Sequence, residues 1–353
     1  MFSSLPFSFM FVFSMVFGTL FSISSSHWLG IWAGLEINLI GFLPILVYQK
    51  SILESESAVK YFVVQALGSS LLIFGSLSSC SMSFSWDLSS TAVLSSVGLL
   101  ITSIGLIMKM GVFPFHFWLP SVMAGLPWLS CLLLATWQKI APLLLVNSLF
   151  ELGIMYNFIF LMCLVAGGSS LLGGIGGMNQ TQTRAILAYS SIGHLGWLMF
   201  ALVQSTWAMK TYFSIYILIS FCVFMSLWYL NLNNIKNLNI LSKMSFFSSA
   251  SVMMMLLSLG GLPPLLGFVS KWVVMVSSTS MSFWIFLFPL ILGSVMSLFY
   301  YLNLYFSLYL SALGKSFLNM KSSSNSMFII NSGLLMNLLG GIGLALINML
   351  KEF

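Results

Sequence analysis

The chain is a succession of long apolar stretches separated by short polar or turn segments. A helix needs about 20 apolar residues to cross the hydrocarbon core of a bilayer, and each stretch is close to that length. The pattern predicts an all-α polytopic membrane protein, a single transmembrane domain over 1–353. Its eleven predicted transmembrane helices lie near 5–23, 28–48, 59–79, 91–112, 127–148, 153–174, 185–204, 207–230, 246–277, 283–311 and 327–350.

Two of these stretches contain residues that break helices. FPFHFWLP follows an apolar run in a region near 109–120, and GGLPPLLG lies in a region near 260–272. Proline removes a helix donor and clashes with the preceding turn. Interrupted helices persist at membrane depth only when packed in protein or lining a wet cavity, and a pair in two halves of a chain indicates a transport site. A duplicated core is compatible with their spacing, although no residue-level repeat is visible.

Positive residues in the loops predict the orientation, because loops on the inner side of a membrane are enriched in lysine and arginine. Loops after even-numbered spans hold Lys50, Lys60, Arg184, Lys236, Lys243, Lys315 and Lys321, and the opposite loops hold Lys210 and Lys351. The N-terminus is therefore predicted on the inside. The first span follows the N-terminus without a basic or amphipathic leader, so we expect no cleaved presequence.

Composition supports a membrane protein and excludes several other classes. Only 5% of residues are charged, whereas a soluble domain carries about 25%. The net charge of +6 is spread over single residues, which does not indicate nucleic-acid binding. The four cysteines form no C-x-x-C pair, so iron–sulfur and zinc sites are not predicted. GGSSLLGGIGGMNQ fails the dinucleotide pattern G-x-G-x-x-G, so no nucleotide site is predicted.

Four charged residues fall inside the predicted spans: Glu36, Lys109, Lys139 and Lys271. An unpaired charge at the bilayer centre costs on the order of 2.5–3.5 kcal/mol or more, so such residues persist mainly where they pair or face water. Two of the lysines lie beside the breaks. The four residues indicate a buried polar axis, and the alternative is that the lysines extend to the headgroups.

Two histidines, His116 in the first break and His194 within a span, are candidates for the same axis. Histidine titrates near neutrality and suits a proton relay, although a structural hydrogen bond explains either residue as well. Sodium prefers several oxygen ligands, and only one intramembrane carboxylate exists. Strong anion sites usually use arginine forks, and the only arginine is Arg184 in a loop. A proton path fits these residues best.

Four segments resemble a known family. They are WLGIWAGLEINLIGFLPIL (28–46), KMGVFPFHFWLPSVMAGLPW (109–128), GGIGGMNQTQTRAILAYSSIGHLGW (173–197) and GGLPPLLGFVSKW (260–272). They closely resemble chain 2 of NADH:ubiquinone oxidoreductase, the antiporter-like membrane subunit of respiratory complex I. The resemblance covers almost the whole chain. The eleven spans, the 24 methionines and the absence of a presequence resemble the mitochondrially encoded form.

The resemblance implies roles for matching residues. Glu36 is expected to pair with Lys109, Lys139 to be the central lysine of the axis, and Lys271 to lead toward a neighbouring antiporter-like subunit. His116 and His194 are expected as further relay groups. The resemblance also implies that the inside is the matrix and that the chain lies in the mitochondrial inner membrane.

The resemblance further implies that electron transfer happens elsewhere in the complex. FMN, iron–sulfur clusters and ubiquinone are expected in other subunits, with no cofactor and no metal in this chain. Expected partners are other complex I subunits and membrane lipids, without nucleic acid or a directly bound small-molecule substrate. Two alternatives remain open at this point: a stand-alone cation/proton antiporter, and a scaffold subunit without its own proton path.

Overall fold

The computed structural model describes residues 8–47, 51–83, 87, 96–151, 156–230, 246–263, 265–279, 283–313 and 332–343. These residues are helical apart from short turns, and the isolated bridge between His27 and Asp87 is the one β pairing among them. The helices cluster into two compact units, Met1–Met162 and Cys163–Phe353, within the chain that the sequence predicts as one transmembrane domain.

The described part of unit 1 contains seven helices and the first part of an eighth. They are α1 Ser8–Ser24, α2 Trp28–Leu46, α3 Ile52–Ser83, α4 Ser96–Met110, α5 Trp118–Gly125, α6 Trp128–Ala135, α7 Trp137–Glu151 and α8 Tyr156–Met178. Helix α1 packs along α2, and α3 packs along α4 and also contacts α2 and α5. Helix α7 lies against α4 and α6. These contacts bring together the helices that carry the predicted site residues of this unit.

Unit 2 contains the rest of α8 and the remaining helices. They are α9 Thr183–Gln204, α10 Thr206–Leu230, α11 Phe246–Gly260, α12 Leu266–Ser278, α13 Leu287–Leu313 and α14 Ser332–Gly343. Helix α9 packs against α10, α12 and α13, and it is almost entirely buried. Helix α9 is therefore the centre of this unit.

The described helices group into eleven candidate spans, as predicted. Seven helical stretches are long and apolar enough to cross a membrane, and α6 and α7 together form one of them. Helices α1 and α14 are shorter apolar helices, and the pairs α4–α5 and α11–α12 flank the two breaks. The all-α, polytopic fold class with two interrupted helices is confirmed.

The two breaks begin with the same backbone turn. Gly111 follows α4 with φ of 75°, and Gly261 follows α11 with φ of 85°. Only glycine adopts this left-handed conformation without strain, and it commonly ends a helix. The next amide in each case reaches back five residues, from Val112 to Ile107 and from Leu262 to Leu257. Prolines then follow within three residues, so neither helix continues.

One predicted span is divided where we expect a continuous helix. The stretch 127–148 separates at Thr136 into α6 and α7. The Thr136 hydroxyl donates to the Leu132 carbonyl at 2.7 Å, and such back-bonding bends helices. Pro142 lies inside α7 and cannot donate to the carbonyl four residues earlier. The two helices together still form one candidate span, Trp128–Glu151, as predicted.

A second difference concerns the start of α3. We predict this span from residue 59 with Lys60 in the loop, but the helix begins at Ile52 and contains Lys60. The Ser51 hydroxyl accepts a hydrogen bond from the Glu54 amide at 3.2 Å, which caps the helix before the apolar residues begin. Of the other residues used for orientation, the following lie outside the described residues: Lys50, Lys236, Lys243, Lys315, Lys321 and Lys351.

Candidate functional site

In unit 1, the structure brings Glu36 and Lys109 together. Lys109 Nζ lies 3.9 Å from Glu36 Oε1, with the lysine side chain 3% exposed and the glutamate side chain 25% exposed. At this distance the two groups form an ion pair without a direct hydrogen bond. Glu36 comes from the middle of α2 and Lys109 from the last turn of α4, just before the first break. The pair is mostly sheltered from solvent, so its charges stabilise each other where an isolated charge would be costly.

One face of α3 holds Lys109 in place. Gln65 Nε2 donates to the Lys109 carbonyl at 3.2 Å and so satisfies an acceptor at the end of α4. Gly68 lies one turn further along, and a Cβ added there would come within 2.9 Å of Lys109 Cγ. The missing side chain at position 68 therefore leaves the space that the lysine side chain occupies.

A cluster of neutral polar groups joins α2 to α7. The amides of Asn38 and Gln138 exchange two hydrogen bonds, at 2.8 Å from Asn38 Nδ2 and at 3.2 Å from Gln138 Nε2. The Tyr61 hydroxyl adds a longer bond to Gln138 Oε1 at 3.4 Å. We call Asn38, Gln138 and Tyr61 the amide cluster. It links the helix of Glu36 to the helix of Lys139, and its neutral residues are not among the site residues predicted from the sequence.

Lys139 is one of the largest fully buried side chains, with 2% of its surface exposed. It lies in the first turn of α7, and its amide bonds to the Thr136 carbonyl at the interruption of the helix. Because the side chain is so deeply enclosed, the alternative in which Lys139 extends to the headgroups does not describe this residue.

His116 lies in the first break, as predicted, and is buried. Its contacts are local: Nδ1 is 3.2 Å from the Pro114 carbonyl, and its ring lies 4.1 Å from that of Phe117. These contacts favour a structural role in shaping the break.

In unit 2, Lys271 reaches back across the second break. Its Nζ donates to the Gly260 carbonyl at 2.7 Å, and the side chain is 5% exposed. Gly260 is the last residue of α11, so the ammonium lies at the negative end of that helix. A Cβ at Gly261 would lie 2.8 Å from Lys271 Nζ, so glycine is required here both for the turn and for the approach of the lysine.

A small cavity next to Lys271 also contains His194. The residues that line it are Ser170, Ser190, Gly193, His194, Trp197, Lys271, Gly293, Ser294, Ser297 and Tyr301. His194 Nδ1 lies 2.8 Å from the Tyr212 hydroxyl of α10, and its ring also contacts Tyr216. The cavity thus joins a buried histidine and a buried lysine, both residue types that can carry a proton.

The start of α12 depends on a residue from α14. Asn337 Oδ1 accepts a hydrogen bond from the Leu266 amide at 3.2 Å, and both residues are buried. The amide oxygen therefore satisfies one of the free donors at the helix start, as a capping residue does. This contact holds the helix that carries Lys271, and it could not be predicted from the sequence because the two residues lie 71 positions apart in the chain.

The described residues contain no group of three or more histidine, cysteine, aspartate or glutamate side chains that could hold a metal ion. The predicted site residues lie instead as the Glu36–Lys109 ion pair and as the buried side chains of Lys139, Lys271, His116 and His194. Such an arrangement suits the movement of protons between groups better than the binding of an ion with several ligands.

Two solved structures contain a chain with this fold. A chain of respiratory complex I from Thermus thermophilus superposes with a TM-score of 0.79 at 23% identity, covering 96% of this chain and 80% of that one. A chain of the Mrp complex from Dietzia gives a TM-score of 0.75 at 12% identity, covering 96% and 75%. At these identities the likeness shows a shared fold and nothing more.

Sequence comparison defines the family. Residues 25–299 match the model described as NADH:quinone oxidoreductase/Mrp antiporter, transmembrane. The chain is 38% identical to NADH-ubiquinone oxidoreductase chain 2 of Anopheles gambiae over 347 residues, 96% of each chain. It is 43% identical to the protein of the same name in Lumbricus terrestris, over 83% of this chain and 84% of that one. The chain belongs to the NADH-ubiquinone oxidoreductase chain 2 family of antiporter-like membrane proteins.

Proposed function

We propose that this chain is a proton-translocating core membrane subunit of respiratory complex I. The observation that carries the proposal is the Glu36–Lys109 ion pair of unit 1, which is mostly sheltered from solvent, in a chain whose family is named for NADH:ubiquinone oxidoreduction. Redox energy released in other subunits shifts this pair, and the change in electrostatics then alters the protonation of Lys139 and Lys271. FMN, iron–sulfur clusters and ubiquinone belong to those other subunits.

The expected location and partners follow from the relatives. The named relatives are animal NADH-ubiquinone oxidoreductase chains, which supports the mitochondrial inner membrane for this one. The proposed partners are other complex I subunits, including neighbouring antiporter-like chains, together with membrane lipids. The proposed N-terminus faces the matrix, in agreement with the excess of lysines in loops after even-numbered spans.

The test replaces Lys139 by methionine in the assembled complex. Proton transfer by a positioned side chain typically accelerates a step about 10²–10⁴-fold, so we expect this chain's share of the protons pumped per NADH oxidised to be lost. Lys210→Met is the matched control, because Lys210 is an exposed lysine on α10. Lys139→Met that assembles normally and pumps like the parent would contradict the proposal.

The same experiment separates the two alternatives. A stand-alone antiporter would exchange cations for protons in vesicles without NADH or other subunits, and Lys139→Met would stop that exchange. A scaffold subunit would lose assembly on neutralisation of Glu36, while the complexes that still assemble would pump normally. The match of 96% of this chain to NADH-ubiquinone oxidoreductase chain 2 supports the complex I subunit over both alternatives.

A further inference from the structure

His194 is held through one of its two ring nitrogens. Its Nδ1 lies 2.8 Å from the Tyr212 hydroxyl, which is a good hydrogen-bond distance, and both residues are buried. The rings of Tyr212 and Tyr216 also lie beside the imidazole, with centroids at 6.1 Å and 5.1 Å. The two tyrosines are one helical turn apart on α10, so a single face of that helix holds the imidazole.

The two nitrogens of His194 have different surroundings. Nδ1 meets Tyr212, which does not line the small cavity next to Lys271, whereas His194 itself lines that cavity. In an imidazole ring the two nitrogens point in nearly opposite directions. The hydrogen bond to Tyr212 therefore turns Nε2 away from α10, and Nε2 is the nitrogen that can exchange protons with the cavity.

The serines of the cavity wall accept hydrogen bonds from the cavity rather than donate to it. Each of them donates its own proton to a carbonyl three residues earlier in its helix, at 2.7–2.8 Å; they are Ser170, Ser190, Ser294 and Ser297. A hydroxyl has a single proton, so these oxygens have only lone pairs left for other groups. Lone pairs bind a charged N–H more strongly than a neutral one, so the wall favours a protonated nitrogen in the cavity.

A histidine that gains and loses a proton restricts the direction of its hydrogen bond to Tyr212. A neutral imidazole carries a proton on one nitrogen, whereas an imidazolium donates from both. If the Tyr212 hydroxyl accepts from Nδ1–H, the same bond serves the neutral and the charged ring, and the second proton adds at Nε2. If the hydroxyl donates to Nδ1, it must turn away at each protonation, and the proton arrives on the side of α10. Only the first arrangement keeps the ring in place and directs the exchange into the cavity.

We propose that Tyr212 is a positioning residue that accepts a hydrogen bond from His194 Nδ1–H and thereby makes Nε2 the nitrogen that exchanges protons with the cavity. A proton that leaves the Lys271 ammonium adds to Nε2, so the lysine becomes neutral and the imidazole becomes charged. The reverse transfer restores both groups, and Nδ1 keeps its proton throughout. This inference rests on the proposed function, in which Lys271 changes its protonation.

The first variant is Tyr212→Phe, which removes the hydroxyl and keeps the ring. A hydrogen bond between neutral groups is worth about fivefold in an equilibrium, so this chain's share of NADH-driven proton pumping by the assembled complex should fall by up to that factor. Tyr300→Phe is the matched control. Tyr300 is a buried tyrosine on α13 of unit 2, and its hydroxyl makes no hydrogen bond among the described residues. This control should pump like the parent.

Infrared spectroscopy separates positioning from a packing effect, because it reports which nitrogen carries the proton. Difference spectra are recorded when NADH reduces the complex, with isotope-labelled histidine to identify imidazole bands and His194→Gln to assign those of His194. The ring stretching bands differ in frequency between the Nδ1–H and Nε2–H forms. The parent and Tyr300→Phe should convert the Nδ1–H form to the imidazolium, whereas Tyr212→Phe should contain a mixture of both neutral forms.

The Nδ1–H form in the parent, together with mixed forms and lower pumping in Tyr212→Phe, supports the inference. The Nε2–H form in the parent overturns it, and this measurement needs no variant of Tyr212 to assemble. An unchanged neutral form or normal pumping in Tyr212→Phe also overturns it, as does a parent spectrum without His194 bands. In each of these cases the proposed function stands if Lys139→Met loses this chain's share of pumping, whereas normal pumping in Lys139→Met overturns the proposed function itself.

Discussion

The charged residues of the candidate site are held by residues that have no proton chemistry of their own. Gly68 leaves room for the Lys109 side chain, and Gln65 bonds to the Lys109 carbonyl. Gly261 likewise leaves room for the Lys271 side chain, so that its ammonium reaches the end of α11. The positions of the two lysine side chains therefore depend on the missing side chains of the neighbouring glycines as well as on their hydrogen-bond and ion-pair partners.

A prediction at this scale concerns Gly68→Ala. The added Cβ lies 2.9 Å from Lys109 Cγ and 3.3 Å from the Gly105 carbonyl, so the lysine side chain must shift and the distance to Glu36 must change. We expect lower proton pumping per NADH with nearly normal assembly, because the clash is with a side chain that can move. Pumping and NADH oxidation are measured together in vesicles.

The control for Gly68→Ala is Gly343→Ala on α14, where an added Cβ meets nothing within 4 Å. Both variants place the same methyl group in a helix, so a general effect of the substitution would appear in both. If Gly68→Ala pumps as well as Gly343→Ala, the position of the Lys109 side chain is not critical.

The sequence predicts the charged members of the site but not the neutral ones. Glu36, Lys109, Lys139 and Lys271 stand out because a charge within an apolar run is rare and costly. Asn38 and Gln138 do not stand out, because amides are cheaper to bury and only their approach across 100 residues makes them a pair. The pairing of Glu36 with Lys109 came from family resemblance, since no spacing along one helix relates the two residues.

At the scale of elements, the two breaks have the same type of glycine turn, but their lysines lie on opposite sides of it along the chain. Lys109 precedes the glycine of the first break, whereas Lys271 follows that of the second. The breaks themselves could be predicted, because proline and glycine act locally. The interruption at Thr136 could not, because threonine is common in transmembrane helices and its bending bond to Leu132 depends on a side-chain rotamer.

A second prediction concerns the cap of α12. Asn337→Leu keeps the size of the side chain but removes the acceptor for the Leu266 amide, which should cost about 1 kcal/mol or more of stability. We expect the assembled complex to lose this chain, or its activity, at a lower temperature than the parent. A series of heat steps followed by native electrophoresis measures the difference.

Asn303→Leu on α13 is the control, because it makes the same substitution at an exposed position. It should leave the temperature of dissociation unchanged, since an apolar side chain is well accommodated on an exposed face of a membrane helix. Equal behaviour of the two variants would show that the Asn337 cap is not needed for the stability of α12.

At the scale of the whole molecule, the number of spans was predictable and the arrangement was not. Eleven candidate spans follow from the length of apolar stretches, which the bilayer thickness sets. The division into two compact units depends on which helix faces meet, and small residues such as Gly18, whose Cβ would clash with the Asn38 backbone, determine those contacts. A hydropathy pattern alone does not predict which helix faces pack against each other.

The proposed orientation gives a third prediction. Thr181 and Lys210 are exposed on either side of α9, near its start and beyond its end. Cysteines placed at these two positions should react with a membrane-impermeant maleimide from opposite sides, with residue 181 labelled from the matrix side. Labelling is compared in right-side-out and inside-out vesicles, with the parent chain as background. Labelling of both residues from one side would refute eleven alternating spans, and the reverse assignment would place the N-terminus outside.

A fourth prediction concerns assembly. Gently solubilised native membranes are separated on a native gel, and this chain is located beside an in-gel stain for NADH dehydrogenase. We expect it in a very large NADH-active band, because the chain belongs to a family of NADH-ubiquinone oxidoreductase subunits. Migration as a small NADH-inactive species would favour the stand-alone antiporter.

The way each interrupted helix is capped makes the two breaks respond differently to protons. The end of α11 is capped by the Lys271 ammonium, whose charge also opposes the negative end of the helix. If Lys271 gave up its proton, that charge would disappear and the hydrogen bond to the Gly260 carbonyl would weaken, so we expect the last turn of α11 to loosen. The end of α4 is capped by the Gln65 amide, which does not titrate. We therefore expect α11 to be a proton-responsive helix end, whereas α4 keeps its length whatever the protonation of Lys109.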